Sequence, residues 1–248
     1  MNLKYGFVCC GYNCLNWVDR SLASMLLQTY NNFKIICIDA QSTDGTYEKL
    51  KNYEEKYTDK IQVIRNNKRQ FQTENTLLGV KEAKDCDIII TVDLDDWLST
   101  NTVLEILNNY YLNNNIWMTY GTYCHYPYQD VSHHYHDFPY DVKLNGTFKK
   151  YPKWLASHLR TFKRDLFLKI NEVDLKDENG NYFDMAGDNA FMFPMLEMAR
   201  ERTMHLKEIL YVYNRTNPIS EDRVNVARQE ATANYIRQKS INDRLDTL

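Results

Sequence analysis

The stretch TVDLDDWLST, residues 91–100, ends an apolar run in three carboxylates. Residues 88–92 read Ile-Ile-Ile-Thr-Val and predict a buried strand, and Asp93, Asp95 and Asp96 follow it. One acid could cap the next predicted helix, but a cap needs only one. Hard divalent cations take oxygen ligands, commonly one or two carboxylates together with substrate phosphates. We therefore favour a Mg²⁺ or Mn²⁺ site over a helix cap at this strand end.

Strands and helices alternate over about the first 120 residues, which indicates an α/β fold. Apolar strands are predicted at 4–10, 33–39, 60–66, 85–93 and 116–123, and helices at 17–30, 45–57, 72–84 and 101–112. Such an alternation predicts a mostly parallel sheet that helices cover on both faces. Ligands gather at the carboxyl ends of the strands in these sheets. The acidic cluster lies at one such end, and Gly11-Tyr12-Asn13 and Asp39 lie at two others.

The second half of the chain has a weaker pattern. We predict a strand around 158–162, a helix over 188–202, a strand over 208–214 and a polar helical segment over 221–248. Residues 124–150 contain four histidines with little periodicity, and their spacing matches no structural zinc motif, so a loop or acceptor surface is expected. No repeat or linker marks a second domain, and we predict a single domain.

The composition excludes several classes of function. Of the 248 residues, 44% are hydrophobic and 25% are charged, and the formal net charge is −3. This charge provides no basic surface for non-specific nucleic-acid binding. No run of apolar residues is long enough to predict a membrane span. The six cysteines form no CxxC pair and no disulfide framework, which favours a reducing, cytoplasmic setting.

The acidic motif and its surroundings resemble the family 2 glycosyltransferases, which have the Rossmann-like GT-A fold. DLDDW matches their Asp-x-Asp-Asp pattern, and GFVCCGYNCLNWVDRSLASMLLQTYNNFKIICIDAQSTDGT resembles their opening segments. ENTLLGVKEAKDCDIIITVDLDD resembles the helix and strand that lead into the acidic motif. The segments occur in the family's order and cover about residues 1–125. The later GDNAFMFPMLEMA and LYVYNRTNP look like pieces found in some members.

The resemblance implies a reaction. A sugar would move from a nucleotide-diphosphate donor, with a UDP-sugar as the default, to a glycan, lipid or protein acceptor, with inversion at the anomeric carbon. Mn²⁺ or Mg²⁺ would hold the diphosphate so that it leaves without a proton. Residues 1–123 would bind the donor, 124–220 would form a variable acceptor side, and 221–248 would form a helical tail.

The resemblance also assigns roles to individual residues. Asp39 would approach the base, Asp93 would contact the ribose or support its loop, and Asp95 would bind the metal with Asp96 beside it. Arg215 is a candidate for closing over the diphosphate, because Arg forms bidentate contacts with phosphate. The expected nucleotide-sugar contacts are Tyr12, Asn13, Asp39, Arg69, Asp93, Asp95 and Arg215.

Two positions depart from the family's pattern. Many members have a second Asp, which in some reads uracil, where this chain has Ala40. Many also have Ala-Arg-Asn where residues 73–75 of this chain are Thr-Glu-Asn. Lys68 or Arg69 is a candidate substitute for the missing Arg, and an ordinary solvated loop is the alternative.

Inversion requires one general base that deprotonates the acceptor. In the family that this chain resembles, the base is an Asp or Glu after the acidic motif, often at the start of a helix, and Asp188 fits that place, with a plain N-cap as the alternative. Asp184 is the second candidate for the base, whereas Glu197 is expected to anchor a buried network. His158 and Arg160 would lie on the same side of a strand, where they would meet the diphosphate or the acceptor, or would belong to a surface edge strand.

Two other functions compete with the glycosyltransferase. A nucleotidyltransferase that makes a sugar nucleotide usually has a Gly-rich, basic loop after its first strand, whereas CCGYNCLNWVDR has one Gly and no Lys. A non-catalytic carbohydrate-binding module would not need three Asp at a strand end and a further Asp at a helix start. Both features favour a glycosyltransferase.

Overall fold

The computed structural model describes residues 2–132, 135–220 and 225–248. The strands are β1 Tyr5–Gly11, β2 Phe33–Asp39, β3 Ile61–Arg65, β4 Ile88–Asp93, β5 Trp97–Leu98, β6 Met118–Tyr126, β7 Arg160–Lys163 and β8 Thr203–Asn214. The helices are α1 Val18–Leu26, α2 Thr46–Lys56, α3 Gln72–Glu82, α4 Val103–Asn113, α5 Tyr140–Asn145, α6 Arg164–Phe167, α7 Gly187–Ala199 and α8 Val226–Gln238. Short 3-10 turns lie at Phe148–Lys150, Glu172–Leu175 and Arg200–Arg202.

The strands form a sheet in the order β3-β2-β1-β4-β7-β6-β8-β5. The first four strands are parallel, and Cys9 of β1 lies opposite Cys37 of β2 and Val92 of β4. β7 is antiparallel to both β4 and β6, whereas β6 and β8 are parallel. The predicted parallel sheet is therefore found in the first half, and the second half makes the sheet mixed. The carboxyl ends of β1, β2 and β4 meet the start of β7 at one edge.

Helices cover both faces of the sheet, which explains why its strands are apolar on both sides. Phe7 and Cys9 of β1 pack in one core layer with α1, α2 and α4. Val8, the residue between them, packs in the other layer with α3, α7 and α8, as the alternation of side chains along a strand requires. A side chain at Gly79 would collide with Val8, so this glycine allows α3 to lie directly on β1.

The predicted elements of the first half are found within a few residues of their predicted ends. β2 has the predicted bounds, whereas the helix predicted at 17–30 ends at Leu26. The helix predicted at 188–202 ends at Ala199, because Arg200 has a φ of 54°, and an α-helix requires a negative φ. The strand predicted at 208–214 is longer and begins at Thr203.

Of the expected helical tail at 221–248, the described part is helical over α8 only, and residues 221–224 lie outside the described residues. Two of the four histidines noted above, 133 and 134, also lie outside them. Beyond α8 the chain packs back on α7, where the Leu245 N–H donates to the Met198 carbonyl at 3.0 Å. Arg202 Nη1 donates to the Leu245 carbonyl at 2.8 Å. None of the helices within the described ranges combines the length and the apolar character that a membrane span needs.

A buried ion pair fastens this tail to α7. Glu197 Oε2 accepts hydrogen bonds from Lys149 Nζ and from the Asn242 N–H, each at 2.9 Å. Lys149 Nζ also donates to the Ser240 carbonyl at 2.7 Å. Burial raises the pKa of Glu197 above its ordinary value, against the opposing effect of the Lys149 charge. The expectation that Glu197 anchors a buried network is confirmed.

We expect Lys149→Met to lower the free energy of unfolding by about 3–5 kcal/mol, because the charge of Glu197 would remain buried without its partner. Lys149→Met/Glu197→Gln should recover much of this loss, since Gln is neutral and still accepts from Asn242. Urea unfolding measures both changes, and Lys150→Met at the exposed neighbouring position is the matched control. A free energy for Lys149→Met equal to that of the control would show that the ion pair does not fasten the tail.

Candidate active site

A cleft of about 220 Å³ opens at the sheet edge where β1 and β4 end. Both halves of the chain build its walls, because β7, α7 and β8 reach the same edge. The residues that line it include Tyr12, Ala40, Arg69, Phe71, Asp93, Asp95, Asp96, His158, Arg160, Asp188, Tyr213 and Asn217. The structure thus gathers most of the predicted site residues in one place.

The acidic motif is held against the end of β8. Asp96 is 2% exposed, and its two carboxylate oxygens accept hydrogen bonds from the Tyr211 hydroxyl and from the Asn214 N–H, each at 2.7 Å. Asp95 is half-buried, and its Oδ2 accepts from the side-chain amide of Asn217 at 2.7 Å. Asp96 is therefore engaged by the protein on both oxygens, whereas the Asp95 side chain is the more exposed of the two.

The charges of the three carboxylates act on one another. Burial, and then the charges of Asp95 and Asp93, raise the pKa of Asp96 well above its ordinary value. A divalent cation would relieve this repulsion. The described ranges hold no cluster of three or more His, Cys, Asp or Glu arranged as a complete metal site. Asp93 and Asp95 fit a cation that takes its remaining ligands from a bound phosphate, as Mg²⁺ commonly does.

Aromatic and basic side chains form the end of the cleft near β1 and β2. The Arg69 guanidinium lies 3.7 Å from the centroid of the Tyr12 ring and 5.2 Å from that of Phe71. Arg69 Nη1 also reaches to 3.5 Å from the Ala40 carbonyl oxygen. Tyr12 and Arg69, which the sequence predicts as nucleotide contacts, therefore lie side by side next to Ala40.

Asp39 and Asn13 hold the loops that carry these residues and are not among the described residues that line the cleft. Asp39 is fully buried, and its carboxylate accepts from the Ser42 N–H at 3.1 Å and lies 3.5 Å from Arg65 Nε. Asn13 has a φ of 52°, and its Oδ1 accepts from the Thr43 N–H at 2.9 Å. Their contact with a nucleotide stays a prediction.

Arg215 lies just beyond β8, outside the cleft wall formed by the described residues. Its N–H donates to the Tyr126 carbonyl at 2.9 Å, and its guanidinium lies 5.7 Å from the centroid of the Tyr213 ring. Closure of Arg215 over a diphosphate stays a prediction.

Asp188 lies near the start of α7, in the same cleft as the acidic motif. Its Oδ2 accepts from Arg160 Nη2 at 2.6 Å, and its Oδ1 accepts from the Asn189 N–H at 2.9 Å. The Asp188 side chain is 18% exposed, and that of Arg160 is 4% exposed. Asp184 pairs with Arg228 and lines a separate cleft. The structure therefore separates the two candidates for the base.

The alternative interpretation of Asp188 as a plain N-cap is wrong. The helix α7 already includes Gly187, and its N-cap is Ala186, so Asp188 is the second residue of the helix. Its carboxylate bonds Arg160 and the next backbone N–H rather than bonding a backbone N–H two or three residues further along, as an N-cap side chain does.

The surface edge strand considered for residues 158–162 is also wrong, because β7 lies inside the sheet between β4 and β6. His158 and Arg160 do lie on the same side, since His158 Nδ1 is 3.3 Å from Arg160 Nη1. Arg160 Nε donates to the Ala156 carbonyl at 3.1 Å. The His158 ring stacks on Tyr211, with ring centroids 4.5 Å apart.

Tyr213 and Asn217 line the cleft although the sequence pattern did not single them out. They belong to or follow β8, a strand whose carboxyl end reaches the same edge as that of β4. The signal that could have found them is the one that identified Asp95, namely polar residues at the carboxyl end of an apolar strand.

Solved structures define the class of fold. The structure superposes on S. aureus TarS in complex with UDP-GlcNAc with a TM-score of 0.63 at 14% identity, covering 87% of this chain and 59% of that one. It superposes on the mannosyltransferase PcManGT from Pyrobaculum calidifontis, in complex with GDP-Man and Mn²⁺, with a TM-score of 0.63 at 15% identity, covering 97% and 66%. The protein therefore has the predicted GT-A fold.

The family follows from the sequence. Residues 7–174 match the sequence model of Glycosyl transferase family 2, so the chain belongs to this family. The putative glycosyltransferase EpsE of Bacillus subtilis is 43% identical over 70 residues, which are 27% of this chain and 25% of EpsE. The matched part is therefore about a quarter of the length of that relative.

Proposed function

We propose that the protein is an inverting, metal-dependent glycosyltransferase that uses a nucleotide-sugar donor, with a UDP-sugar as the default, and a glycan, lipid or protein acceptor. The observation that carries this proposal is that Asp95 and Asp188, which are far apart in sequence, line one cleft. The neighbours in complex with UDP-GlcNAc and with GDP-Man support a nucleotide-sugar donor. Membership of the family argues against a nucleotidyltransferase and a binding module.

The acidic motif would bind the diphosphate through a metal ion. Asp95 would hold Mn²⁺ or Mg²⁺, with Asp93 or Asp96 beside it, and the metal would neutralise the leaving diphosphate. The cation in the PcManGT complex supports a divalent metal. Asn217 and Asn214 would keep Asp95 in place, because they donate to its carboxylate and its carbonyl oxygen at 2.7 and 3.0 Å.

The end of the cleft at Tyr12 would receive the nucleotide base. The Arg69 guanidinium lies over the Tyr12 ring and brings positive charge to the same place, which suits a nucleoside diphosphate. Ala40 stands where some family members read uracil with an Asp, so we expect weaker discrimination among bases than in those members.

Asp188 would be the general base. One of its oxygens would take the proton of the acceptor hydroxyl as the hydroxyl oxygen bonds the anomeric carbon and the bond from that carbon to the diphosphate breaks. Arg160 would hold the carboxylate in place through the 2.6 Å ion pair. The base would act from the side of the sugar opposite the diphosphate, as inversion requires.

All six cysteines are free thiols, which supports the proposal of a reducing, cytoplasmic setting.

We expect one nucleotide sugar among UDP-GlcNAc, UDP-glucose, UDP-galactose and GDP-mannose to stabilise the protein when Mn²⁺ is present. A ligand at about 100 times its Kd adds roughly 2.7 kcal/mol to the free energy of unfolding, which a thermal-shift assay detects. The same nucleotide sugars in EDTA are the control. An unchanged melting temperature with every member of this panel and Mn²⁺ would contradict the proposal.

A further inference from the structure

The imidazole of His158 lies between the two halves of the candidate active site. On one side it stacks on Tyr211 with an interplanar angle of 11°, and the Tyr211 hydroxyl donates to Asp96. On the other side Arg160 connects it to Asp188. His158 itself lines the cleft. A sugar placed between a diphosphate at the acidic motif and a base at Asp188 would therefore lie beside this ring.

Arg160 determines which nitrogen of His158 carries the hydrogen. A guanidinium group has only donors, so His158 Nδ1, which is 3.3 Å from Arg160 Nη1, must accept. The neutral ring then carries its hydrogen on Nε2. Burial, together with the Arg160 charge, holds the pKa of His158 well below its ordinary value, which keeps the ring neutral.

The Nε2 atom is left available to a ligand. Within the described ranges, no protein group forms a hydrogen bond with it, and it is not one of the fully buried polar atoms that lack a partner. Tyr211, Tyr123 and Tyr213 pack around the ring and restrict its rotation. The result is a fixed, neutral N–H donor on a residue that lines the cleft.

We propose that His158 recognises the transferred sugar by donating a hydrogen bond from Nε2–H to one of its hydroxyl oxygens. This inference rests on the proposed function. A neutral donor suits a hydroxyl group, whereas the diphosphate is better matched by a metal and a guanidinium. The ring does not compete with Asp188 for the role of base, because its one accepting nitrogen already faces Arg160.

Two substitutions of His158 test the roles of its two ring nitrogens separately. His158→Asn places an amide oxygen near the position of Nδ1, where Arg160 needs an acceptor, and leaves no group at the position of Nε2. His158→Gln places an amide nitrogen near the position of Nε2 and so restores a donor. His136→Asn, at an exposed position outside the cleft, is the matched control.

The test is titration calorimetry in Mn²⁺ with UDP or GDP alone and with the nucleotide sugar from the panel above that binds the wild type. We expect His158→Asn to weaken binding of the nucleotide sugar about tenfold, the size of one lost hydrogen bond, and to leave binding of the nucleotide alone unchanged. His158→Gln should recover part of this loss. Equal weakening of both ligands, or no weakening of either, would overturn the role of His158 in sugar recognition.

Nitrogen NMR of the wild type tests the same inference without a variant, should the variants not fold. The His158 ring, identified by its contacts with Tyr211, should show hydrogen on Nε2, and this signal should move with the nucleotide sugar but not with the nucleotide alone. Hydrogen on Nδ1, or no movement, contradicts the inference. If no nucleotide sugar binds the wild type, the proposed function fails. If one binds but neither the His158 variants nor the His158 signal responds to the sugar, only this inference fails.

Discussion

Asp188→Asn should reduce sugar transfer by about a hundredfold or more and leave binding of the nucleotide sugar unchanged, because it removes the proton acceptor but none of the groups proposed to bind the donor. Asn has nearly the same shape and still accepts a hydrogen bond from Arg160. Turnover is measured as release of the nucleoside diphosphate at saturating donor, and binding is measured by titration calorimetry.

The same variant should also be less stable than the wild type. Arg160 is 4% exposed and would lose its charged partner, so we expect a decrease of about 1–3 kcal/mol in the free energy of unfolding. Thermal unfolding then separates lost activity from lost structure. The sequence alone would not predict this loss of stability, since an Asp at the start of a helix commonly has no buried partner.

Asp184→Asn is the matched control for Asp188→Asn. Asp184 is a nearby acid of the same type, but it pairs with the exposed Arg228 and lines a different cleft. We expect normal turnover from this variant. If Asp184→Asn loses turnover and Asp188→Asn does not, Asp184 rather than Asp188 is the base. Normal turnover in both variants would place the base elsewhere.

Asp95→Ala should abolish the part of nucleotide binding that depends on Mn²⁺. Replacing groups that merely support a metal ligand typically weakens the metal site 10- to 100-fold, so loss of the ligand itself should weaken binding by about a hundredfold or more. Titration of UDP or GDP with Mn²⁺ and with EDTA measures the effect. The fold should survive, because Asp95 is half-buried and Asp96 continues to hold β8.

Asn217→Ala provides the control for this change. It removes the same 2.7 Å hydrogen bond to Asp95 but keeps the carboxylate, so it should weaken the Mn²⁺-dependent binding only about tenfold, less than Asp95→Ala does. If Asn217→Ala and Asp95→Ala weaken binding equally, the hydrogen bond matters rather than a metal. If neither weakens it, Asp95 is not the metal ligand.

The first half of the fold could be predicted because its signals are local. Each strand of this half is a short apolar run, each helix has its own periodicity, and parallel strands place their carboxyl ends at one edge whatever their order. Asp95 and Tyr12 follow such strands, so the sequence alone was enough to predict that they lie close together.

The second half depends on contacts that no local pattern records. The position of β7 between β4 and β6 results from pairing across the sheet, for example of Thr91 with Arg160, and it buries a segment that reads equally well as an edge strand. Asp184 and Asp188 look alike in sequence, and only the point where α7 begins directs them to different clefts. The inward position of Asp39 likewise depends on Ser42 and the turn after β2.

Release of nucleoside diphosphate from the nucleotide-sugar panel, with Mn²⁺ and with EDTA, tests the central claim most directly. We predict that the wild type releases UDP or GDP from at least one nucleotide sugar when Mn²⁺ or Mg²⁺ is present. The release should stop in EDTA, and it should not be restored by metal in Asp95→Ala. Release at the same rate in EDTA, or none from any member of the panel with metal present, would contradict a metal-dependent glycosyltransferase centred on Asp95 and Asp188.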